Sequence, residues 1–291
     1  MVDLTEIFCK ADDFYQGFWP QFQKHLLKTG IERNRATQMS ISEMITIVIL
    51  FHHSGFQNFK RYYTEFILKY SQKEFPYAVC YPRFIQLIPR ILVPLMAFMN
   101  QLKASSQGIA FVDSTHLKVC HNRRINRNKV FKGIASRGHS SMGWFFGFKL
   151  HLIVNHIGEI ISWSLTQGHV DDRKPVRKLA KSLKGKLYAD KGYISTPLFK
   201  DLFDKGLSLV TTLRSNMKNR LMSSFDRILL KKRFIIETIN DQLKNICSIE
   251  HSRHRSKTNF LVNVLSALAA YQLKPKKPAI KLYNFQQLLP F

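Results

Sequence analysis

The spacing of apolar residues divides the chain into a helical first third and a mixed remainder. Residues 1–105 have helical periodicity, and Ser40 followed by Glu43 forms a capping box before an apolar run, which predicts a helix over 41–53. Further helices are predicted over 56–70 and 81–103. Helices joined by short turns fit either a DNA-binding helix-turn-helix unit or an accessory dimerisation bundle, and both interpretations stay open.

After residue 105 the pattern changes to short apolar runs, several of them with alternating polarity, which indicates strands. The first three are joined by turns and are expected to be antiparallel, whereas the last two each follow a predicted helix and are expected to join by crossovers. The five predicted strands cover 109–119, 145–154, 159–166, 186–189 and 207–213. Helices are predicted over 172–183, 196–205, 233–245 and 259–273.

These elements predict an α/β fold in which a mixed five-stranded sheet is flanked by helices and preceded by an all-helical N-terminal domain. The Ser-Ser-Gln-Gly stretch at 105–108 is a plausible boundary. We therefore predict a helical domain over 1–105, a sheet-containing domain over 106–275 and a tail over 276–291.

The net charge of the chain indicates which kind of partner it binds. The chain of 291 residues has 45 Lys and Arg against 19 Asp and Glu, a formal net charge of +26. This excess is far larger than solubility requires and indicates a polyanionic partner, most simply nucleic acid. Residues 1–105 hold 12 basic and 8 acidic residues, so nearly all of the positive excess lies in the remainder.

Two basic segments concentrate this charge. Residues 121–143 contain six Lys or Arg, three glycines and no acid, and are predicted to form a loop or hairpin tip that contacts phosphates. Residues 214–233 are also basic. The candidate DNA-contacting residues of these two segments are Arg123, Arg124, Arg127, Arg214 and Lys218.

The cysteines and the apolar runs bear on the cellular compartment. The four cysteines are scattered without a Cys-x-x-Cys pair, which favours buried thiols in a reducing compartment over disulfides or a zinc site. The N-terminal residues carry acids in place of the basic region of a secretory signal, and the longest apolar run, 44–51, is too short to span a bilayer. A cytoplasmic protein is expected.

Three carboxylates lie where a metal-dependent phosphoryl-transfer site needs them. Asp113 and Asp190 lie at or near the ends of predicted strands, and Glu237 lies on the predicted helix 233–245. Mg²⁺ prefers carboxylate oxygens, and two such ions about 4 Å apart can activate a nucleophile and stabilise a leaving oxygen.

The helix 233–245 also carries two cations near its carboxylate. Arg233, Glu237 and Lys244 are spaced by four and seven residues, which places them on roughly one helical face. The alternative interpretation of this helix alone is a solvated face with helical ion pairs.

Four other features have simple structural interpretations or a moderate functional one. Asp171 and Asp172 are expected to cap a helix, and Trp163 is expected to lie in the core. His116 is three residues after Asp113, and this odd offset on a strand turns it away from the Asp113 face. Lys191 is a candidate phosphate contact because it follows Asp190 directly.

Three sequence blocks resemble those of the DDE transposases of bacterial insertion sequences. They are VDST at 112–115, ADKGY at 189–193 and the R-x3-E-x6-K spacing of Arg233, Glu237 and Lys244. GWFFGFKLHLIVN at 143–155 and RSNMKN at 214–219 further resemble insertion-sequence family 982. The resemblance covers roughly residues 108–275. It departs at Leu230, where related transposases often have a tyrosine.

The resemblance implies a ribonuclease-H-like core, with Asp113, Asp190 and Glu237 as a catalytic and metal-binding triad for two divalent cations, Mg²⁺ or Mn²⁺. It implies that Arg233 and Lys244 grip phosphates beside the scissile bond. The implied activity is cleavage of the insertion-sequence ends and joining of their 3′-hydroxyls to target DNA, by a homodimer on paired ends. A nuclease of the same fold that cuts without joining, an inactive DNA-binding derivative and, more distantly, an RNA-binding protein are the alternatives.

Overall fold

The computed structural model describes residues 3–25, 37–140, 143–213, 222–250 and 254–281. The chain forms two units. The helical unit consists of Met1–Leu102, Leu243–Ile249 and His254–Pro275, and the sheet unit consists of Lys103–Gln242, Glu250–Arg253 and Lys276–Phe291. The change of unit after Leu102 lies close to the boundary that the sequence predicts, but the last long helix belongs to the helical unit.

The helical unit contains the helices that the sequence predicts over its first third. They are α1 (Leu4–His25), α2 (Ile41–Phe51), α3 (Phe59–Arg61), α4 (Leu68–Tyr70), α5 (Tyr81–Leu87) and α6 (Leu92–Gln101), followed much later by α11 (Lys257–Leu273). The capping box is confirmed, because the Ser40 hydroxyl accepts the Glu43 N–H at 3.0 Å and the Glu43 carboxylate accepts the Ser40 N–H at 2.6 Å.

The core of this unit is built around α2, which is buried along almost its whole length and contacts α1 and α11. A helix buried on every side provides core packing and offers no exposed face that could read a DNA groove. The predicted helix over 56–70 forms as α3, the π-helical turn Tyr62–Ile67 and α4.

The helical stretch Tyr81–Gln101 is interrupted in its middle by the 3₁₀ turn Ile88–Ile91, which contains Pro89. Within the described residues, this stretch alone has the length and hydropathy of a membrane span. Core helices of soluble proteins meet the same criteria, and 44% of its most apolar window is buried here.

A buried histidine lies at the C-terminal end of α2. The Nδ1–H of His52 donates to the carbonyl oxygen of Cys247, and its Nε2 lies 2.9 Å from the hydroxyl of Ser266 on α11. Burial lowers the pKa of His52 to about 4, so the ring is neutral at pH 7.

This shift predicts that the protein loses stability in acid. Because the unfolded chain binds a proton on His52 near pH 6.5 and the folded chain binds it only near pH 4, acidification through this window favours unfolding. The loss at this site is on the order of 3 kcal/mol. Urea unfolding of His52→Gln between pH 4 and pH 7 should show a weaker pH dependence than the parent. The same substitution at the exposed His139 should leave that dependence unchanged.

In the sheet unit, the strands that the sequence predicts are confirmed. They are β1 (Ile109–Cys120), β3 (Gly143–Asn155), β4 (Ile160–Gln167), β5 (Gly185–Ala189) and β6 (Leu207–Thr211). The strand order is β2-β3-β1-β5-β6, where β2 (Ser136–Ser140) is a short additional strand, and β4 also pairs with β3. β1 is antiparallel to β3 and parallel to β5, and β5 is parallel to β6, as the predicted crossovers require.

Strand β2 lies in the segment 121–143, which the sequence predicts to be a loop or hairpin tip. Its residues, Ser-Arg-Gly-His-Ser, have no apolar alternation, so the pattern of the sequence gives no signal of a strand. The strand forms because it pairs with the start of β3 at an edge where Gly138 lies against Gly168. A Cβ at Gly138 would lie 2.2 Å from the Gly168 carbonyl oxygen.

Helices cover the two faces of this sheet. The even-numbered residues at the start of β1, such as Val112, join an apolar cluster with α7 (Arg173–Leu179) and α8 (Thr196–Phe203). The odd-numbered residues face α9 (Ser224–Lys231) and α10 (Phe234–Asp241). The sequence does not predict α9, because the basic residues of 214–233 obscure its apolar positions.

Candidate active site

Asp113 on β1 and Asp190, directly after β5, come from two central parallel strands. β1 and β5 pair in parallel with Phe111 opposite Tyr188, and β5 ends at Ala189. Continuing this register by two residues puts Asp113 opposite Asp190, whose backbone is still extended. Directly paired residues of neighbouring strands lie about 5 Å apart and point to the same face. The carboxylate of Asp190 accepts the N–H of the next residue at 2.7 Å, which fixes its orientation.

Glu237 lies on α10, which packs on β1 at Asp113. The side-chain amide of Asn240 donates to the Asp113 carboxylate at 3.1 Å, and Asn240 follows Glu237 by three residues on the same helical face. Glu237 itself forms an ion pair with Arg233 one turn earlier. The Arg233 side chain is 18% exposed and that of Glu237 is 54% exposed, so the cation is turned inward while the carboxylate faces solvent.

The carboxyl group of Asp113 is hard to ionise in this environment. Its pKa is raised to about 6, chiefly by burial and to a smaller extent by the carboxylates of Glu237 and Asp172, while Arg233 and a backbone N–H oppose the shift. Three carboxylates therefore influence one another at this end of β1, and a single guanidinium partly compensates their charge.

Asp172 belongs to this electrostatic cluster, although the sequence predicts only a helix cap. It is the residue before α7, but its side chain makes no capping bond. Its carboxylate instead lies 3.0 Å from the ammonium of Lys149 on β3, which also donates to the Val170 carbonyl at 3.0 Å. The capping role is filled by Asp171, whose carboxylate accepts the Arg173 N–H at 2.9 Å.

Two neutral side chains surround Asp172. His151 is almost completely buried, and burial lowers its pKa to about 4. The pKa of Tyr193 lies well above its usual range because of burial and the adjacent Asp113 and Asp172 carboxylates. Both groups therefore stay uncharged at pH 7. The signal that identifies Asp172 is spatial, since its partners lie on β1, on β3 and after β5.

Asp226 fixes the segment that precedes the Glu237 helix. Its carboxylate accepts hydrogen bonds from the Lys186 ammonium at 2.8 Å, the Tyr188 hydroxyl at 2.6 Å and the Ser223 hydroxyl at 2.8 Å. Lys186 and Tyr188 lie on β5, so these bonds attach α9 to the strand that leads to Asp190. No local pattern signals this role, because Asp226 is the one acid of the basic segment 214–233.

The predicted common face of Arg233, Glu237 and Lys244 holds for its first two members only. The α-helix ends at Asp241 and continues as the π-helical turn Gln242–Ile246. A π-turn has more residues per turn than an α-helix, so the α-helical phase on which the prediction rests does not extend to Lys244. Lys244 also belongs to the helical unit, whereas Glu237 belongs to the sheet unit.

The structure places the remaining predicted cations in three groups. Lys191 is exposed in a 3₁₀ turn directly after Asp190. Arg123, Arg124 and Arg127 lie on a 3₁₀ helix after the far end of β1, so they do not line the carboxylate site. The predicted Arg214 and Lys218 lie outside the described residues.

Two other sequence interpretations can be compared with the structure. His116 pairs with Lys149 in the β1–β3 register and stacks near Phe145, on the face opposite to Asp113, as the odd offset predicts. Trp163 is half-buried on β4, and its indole N–H is buried without a hydrogen-bond partner.

The carboxylates of this site have the chemistry that a divalent cation needs, but the Glu237 carboxylate is paired with Arg233 in this structure. Among the described residues, no group of three or more His, Cys, Asp or Glu side chains is close enough to hold a metal ion. Asp113 and Asp190 offer hard oxygen ligands, and the pKa of Asp113 is raised mainly by burial, a desolvation that a bound cation would offset. Rotation of the half-exposed Glu237 side chain away from Arg233 would add the third carboxylate.

Comparisons with known proteins show the family of the chain and a similar fold. A family model described as a transposase DDE domain matches residues 103–257, just over half of the chain. The chain therefore belongs to this family of DNA-cleaving enzymes, which use divalent metal ions. No curated protein matches the sequence. A solved piggyBac transposase synaptic complex with hairpin DNA has a similar fold, with a TM-score of 0.52 and 11% sequence identity over 94% of this chain and 75% of that chain.

The raised pKa of Asp113 predicts a stabilising substitution in metal-free protein. The folded chain holds the Asp113 proton up to about pH 6 and the unfolded chain releases it near pH 3.8, so stability falls as the pH rises through this window. Asp113→Asn should therefore raise the free energy of unfolding at pH 7 by about 1–2 kcal/mol. It should also remove this part of the pH dependence. Chemical denaturation in a metal chelator at pH 4 and pH 7 measures both effects.

Asp201 offers a control with the opposite sign. Its pKa is lowered by the hydrogen bond from Lys205, so Asp201→Asn should give no gain at pH 7. If Asp113→Asn is no more stable than the parent at pH 7, the description of Asp113 as a buried carboxyl group with a raised pKa is wrong.

Proposed function

We propose that this transposase cleaves the ends of an insertion sequence and joins the resulting 3′-hydroxyls to target DNA, with Asp113, Asp190 and Glu237 as the catalytic carboxylates. The observation that carries the proposal is the β1–β5 register, which, continued by two residues, would oppose Asp113 and Asp190; α10, which carries Glu237, packs on the same face of β1 through Asn240. Membership of the transposase DDE domain family supports it.

Each reaction step exchanges one phosphodiester bond for another bond to the same phosphorus. In cleavage, water attacks the scissile phosphorus and the 3′-oxygen leaves as a 3′-hydroxyl. In joining, that 3′-hydroxyl attacks a target phosphodiester and a target 3′-oxygen leaves. Two divalent cations, Mg²⁺ or Mn²⁺, would activate the nucleophile and stabilise the leaving oxygen when bound to the three carboxylates.

The residues around the carboxylates have separate roles in this proposal. Asn240 orients the Asp113 carboxylate and keeps it available as a ligand. Arg233 compensates the negative cluster in this structure, and once Glu237 turns to the cations its guanidinium is available to hold a phosphate oxygen. Lys191, next to Asp190, and Lys244, within the π-turn, supply further phosphate contacts.

The partner and the setting follow from charge and from sequence blocks. The net charge of +26 supports DNA as the partner, as terminal repeats and as target. The solved complex of the structurally similar transposase contains DNA, which also supports this partner. The blocks at 143–155 and 214–219 favour insertion-sequence family 982. We expect a homodimer on paired DNA ends, acting in the bacterial cytoplasm at the nucleoid.

Carboxamide substitutions test the catalytic assignment. Asp190→Asn and Glu237→Gln each remove one negative charge at nearly constant shape, so folding and DNA binding should persist. DNA cleavage in Mg²⁺ should fall by at least about a hundredfold, because the carboxylates hold the ions that stabilise the transition state. Cleavage is measured with end-labelled terminal sequences of the element, and binding with a gel shift.

Lys244→Ala and Asp204→Asn provide comparisons. Lys244→Ala should reduce end binding and cleavage together and only in part, and Mn²⁺ should not restore it. Asp204, an exposed acid at the end of α8, should be replaceable without effect. If Glu237→Gln cleaves as well as the parent, the Arg233–Glu237 pair is a solvated ion pair and the assignment fails.

Joining separates the proposal from its alternatives. A strand-transfer assay with pre-cut ends should give joined products from the parent protein. Cleavage without joined products would indicate a nuclease of the same fold. Binding without cleavage in Mg²⁺ or Mn²⁺ would indicate an inactive DNA-binding derivative.

The charge predicts a steep dependence of DNA affinity on salt. Each phosphate neutralised by Lys or Arg releases counterions, so about six to ten contacts should weaken binding by about a thousandfold or more between 50 and 200 mM salt. Fluorescence anisotropy with a labelled duplex across this range measures the slope. An affinity that stays flat would contradict a phosphate-dominated interface.

A further inference from the structure

In one stretch of the sheet unit every charged residue is basic, and the same stretch carries an exposed aromatic side chain. Between Asp113 and Glu159 the sequence has eight Lys or Arg and no Asp or Glu. Within this stretch, Trp144 at the start of β3 is 65% exposed, more than any other tryptophan or phenylalanine among the exposed large hydrophobic residues of the described chain. An exposed indole in such a field of positive charge needs a partner that is both anionic and flat.

The backbone around Trp144 is fixed while its ring is left open. His139 on β2 is paired with Trp144 in the β2–β3 register, and the two rings meet edge to face with centroids 5.1 Å apart. The side-chain amide of Asn122 donates to the Trp144 carbonyl at 2.8 Å. The indole is therefore held in position before any partner binds.

The same hydrogen bond joins the start of a basic helix to the tryptophan's backbone. Asn122 begins the 3₁₀ helix Asn122–Arg127, which carries Arg123, Arg124 and Arg127, and all three arginines are exposed. We call the set formed by Trp144, His139 and these three arginines the Trp144 platform. It joins an aromatic face to guanidinium groups, which are the two contacts that unpaired nucleic-acid strands use.

We propose that the Trp144 platform binds an unpaired nucleobase of DNA, with the indole of Trp144 stacked on the base and the arginines on the flanking phosphates. This inference rests on the proposed function, because it takes DNA as the partner. It adds a base-stacking position outside the carboxylate site, on a segment that the sequence analysis treats as a phosphate contact only.

The distance between the Trp144 platform and Asp113 indicates how far from the reacting phosphate the stacked base lies. Eight residues of β3 separate Trp144 from Leu152, the residue paired with Asp113. At ~3.3 Å per strand residue this is about 26 Å, the length of roughly eight nucleotide steps along a duplex. A base stacked at Trp144 is thus well away from the reacting phosphate, and its role is to hold the strand in place.

Fluorescent DNA tests the stacking directly. The full chain is titrated with oligonucleotides that contain 2-aminopurine in a single strand, in a fully paired duplex, or in a duplex with a three-nucleotide unpaired flap. Stacking on Trp144 should quench the unpaired 2-aminopurine. Trp144→Ala should abolish the quenching and weaken binding of the flap substrate by about 5- to 100-fold. Trp144→Phe should retain most of both signals.

The three substrates distinguish the source of the base. Quenching with the flap and the single strand only means that the platform takes a base that is already unpaired. Quenching with the paired duplex as well means that the protein extrudes the base. Phe203→Ala is the matched control, since Phe203 is 60% exposed on α8 but stacks on Phe199 away from this hairpin, and it should change nothing.

A second measurement avoids any loss of folding in the variant. Photo-crosslinking of the parent protein to a flap that carries 5-iodouracil should give a peptide modified at Trp144. Quenching and affinity that are equal in parent and Trp144→Ala, or crosslinks only elsewhere, would overturn the inference while leaving the transposase proposal intact. Tighter binding of the corresponding RNA would also overturn it. Failure of the parent to bind any DNA would instead contradict the proposed function.

Discussion

The pairing of β1 with β5 is the constraint on which the candidate site depends. Parallel pairing with Phe111 opposite Tyr188 decides that Asp113 and Asp190, 77 positions apart in the chain, end on one face at the same height. A slip of one residue would send one of the two carboxylates to the opposite face of the sheet. The register is held by apolar burial on one face and by the Phe111–Tyr188 stack on the other.

The cost of gathering carboxylates is offset locally by a few polar contacts. Asn240 hydrogen-bonds Asp113, Arg233 pairs with Glu237, and Lys149 pairs with Asp172. These contacts come from α10 on one side of β1 and from β3 on the other. The site therefore balances charges with contacts from α10 and β3, and burial still holds the pKa of Asp113 above its usual range.

The sequence predicts the strands and most helices well because their apolar periodicity is strong. It also makes Asp113, Asp190 and Glu237 candidates, since each lies on a predicted strand end or helix, and the structure has the predicted strands and helix around them. The sequence does not predict β2 or α9, because both lie in basic segments whose apolar signal is weak and whose pairing partners are distant in the chain. Asp172 and Asn240 are missed for a related reason, since their roles depend on contacts with Lys149 and Asp113 that no local pattern encodes.

The division of the chain between its two units limits how its sequence can be cut or recombined. The helical unit draws on both Met1–Leu102 and His254–Pro275, with the sheet unit between them in the sequence, and the change from Gln242 to Leu243 falls inside one helical stretch. No single cut therefore yields two intact modules. Recombination at one crossover point would leave the apolar faces of α2 and α11 without each other. Exchange of parts between related proteins would need paired crossovers, so the chain is expected to be inherited as a whole.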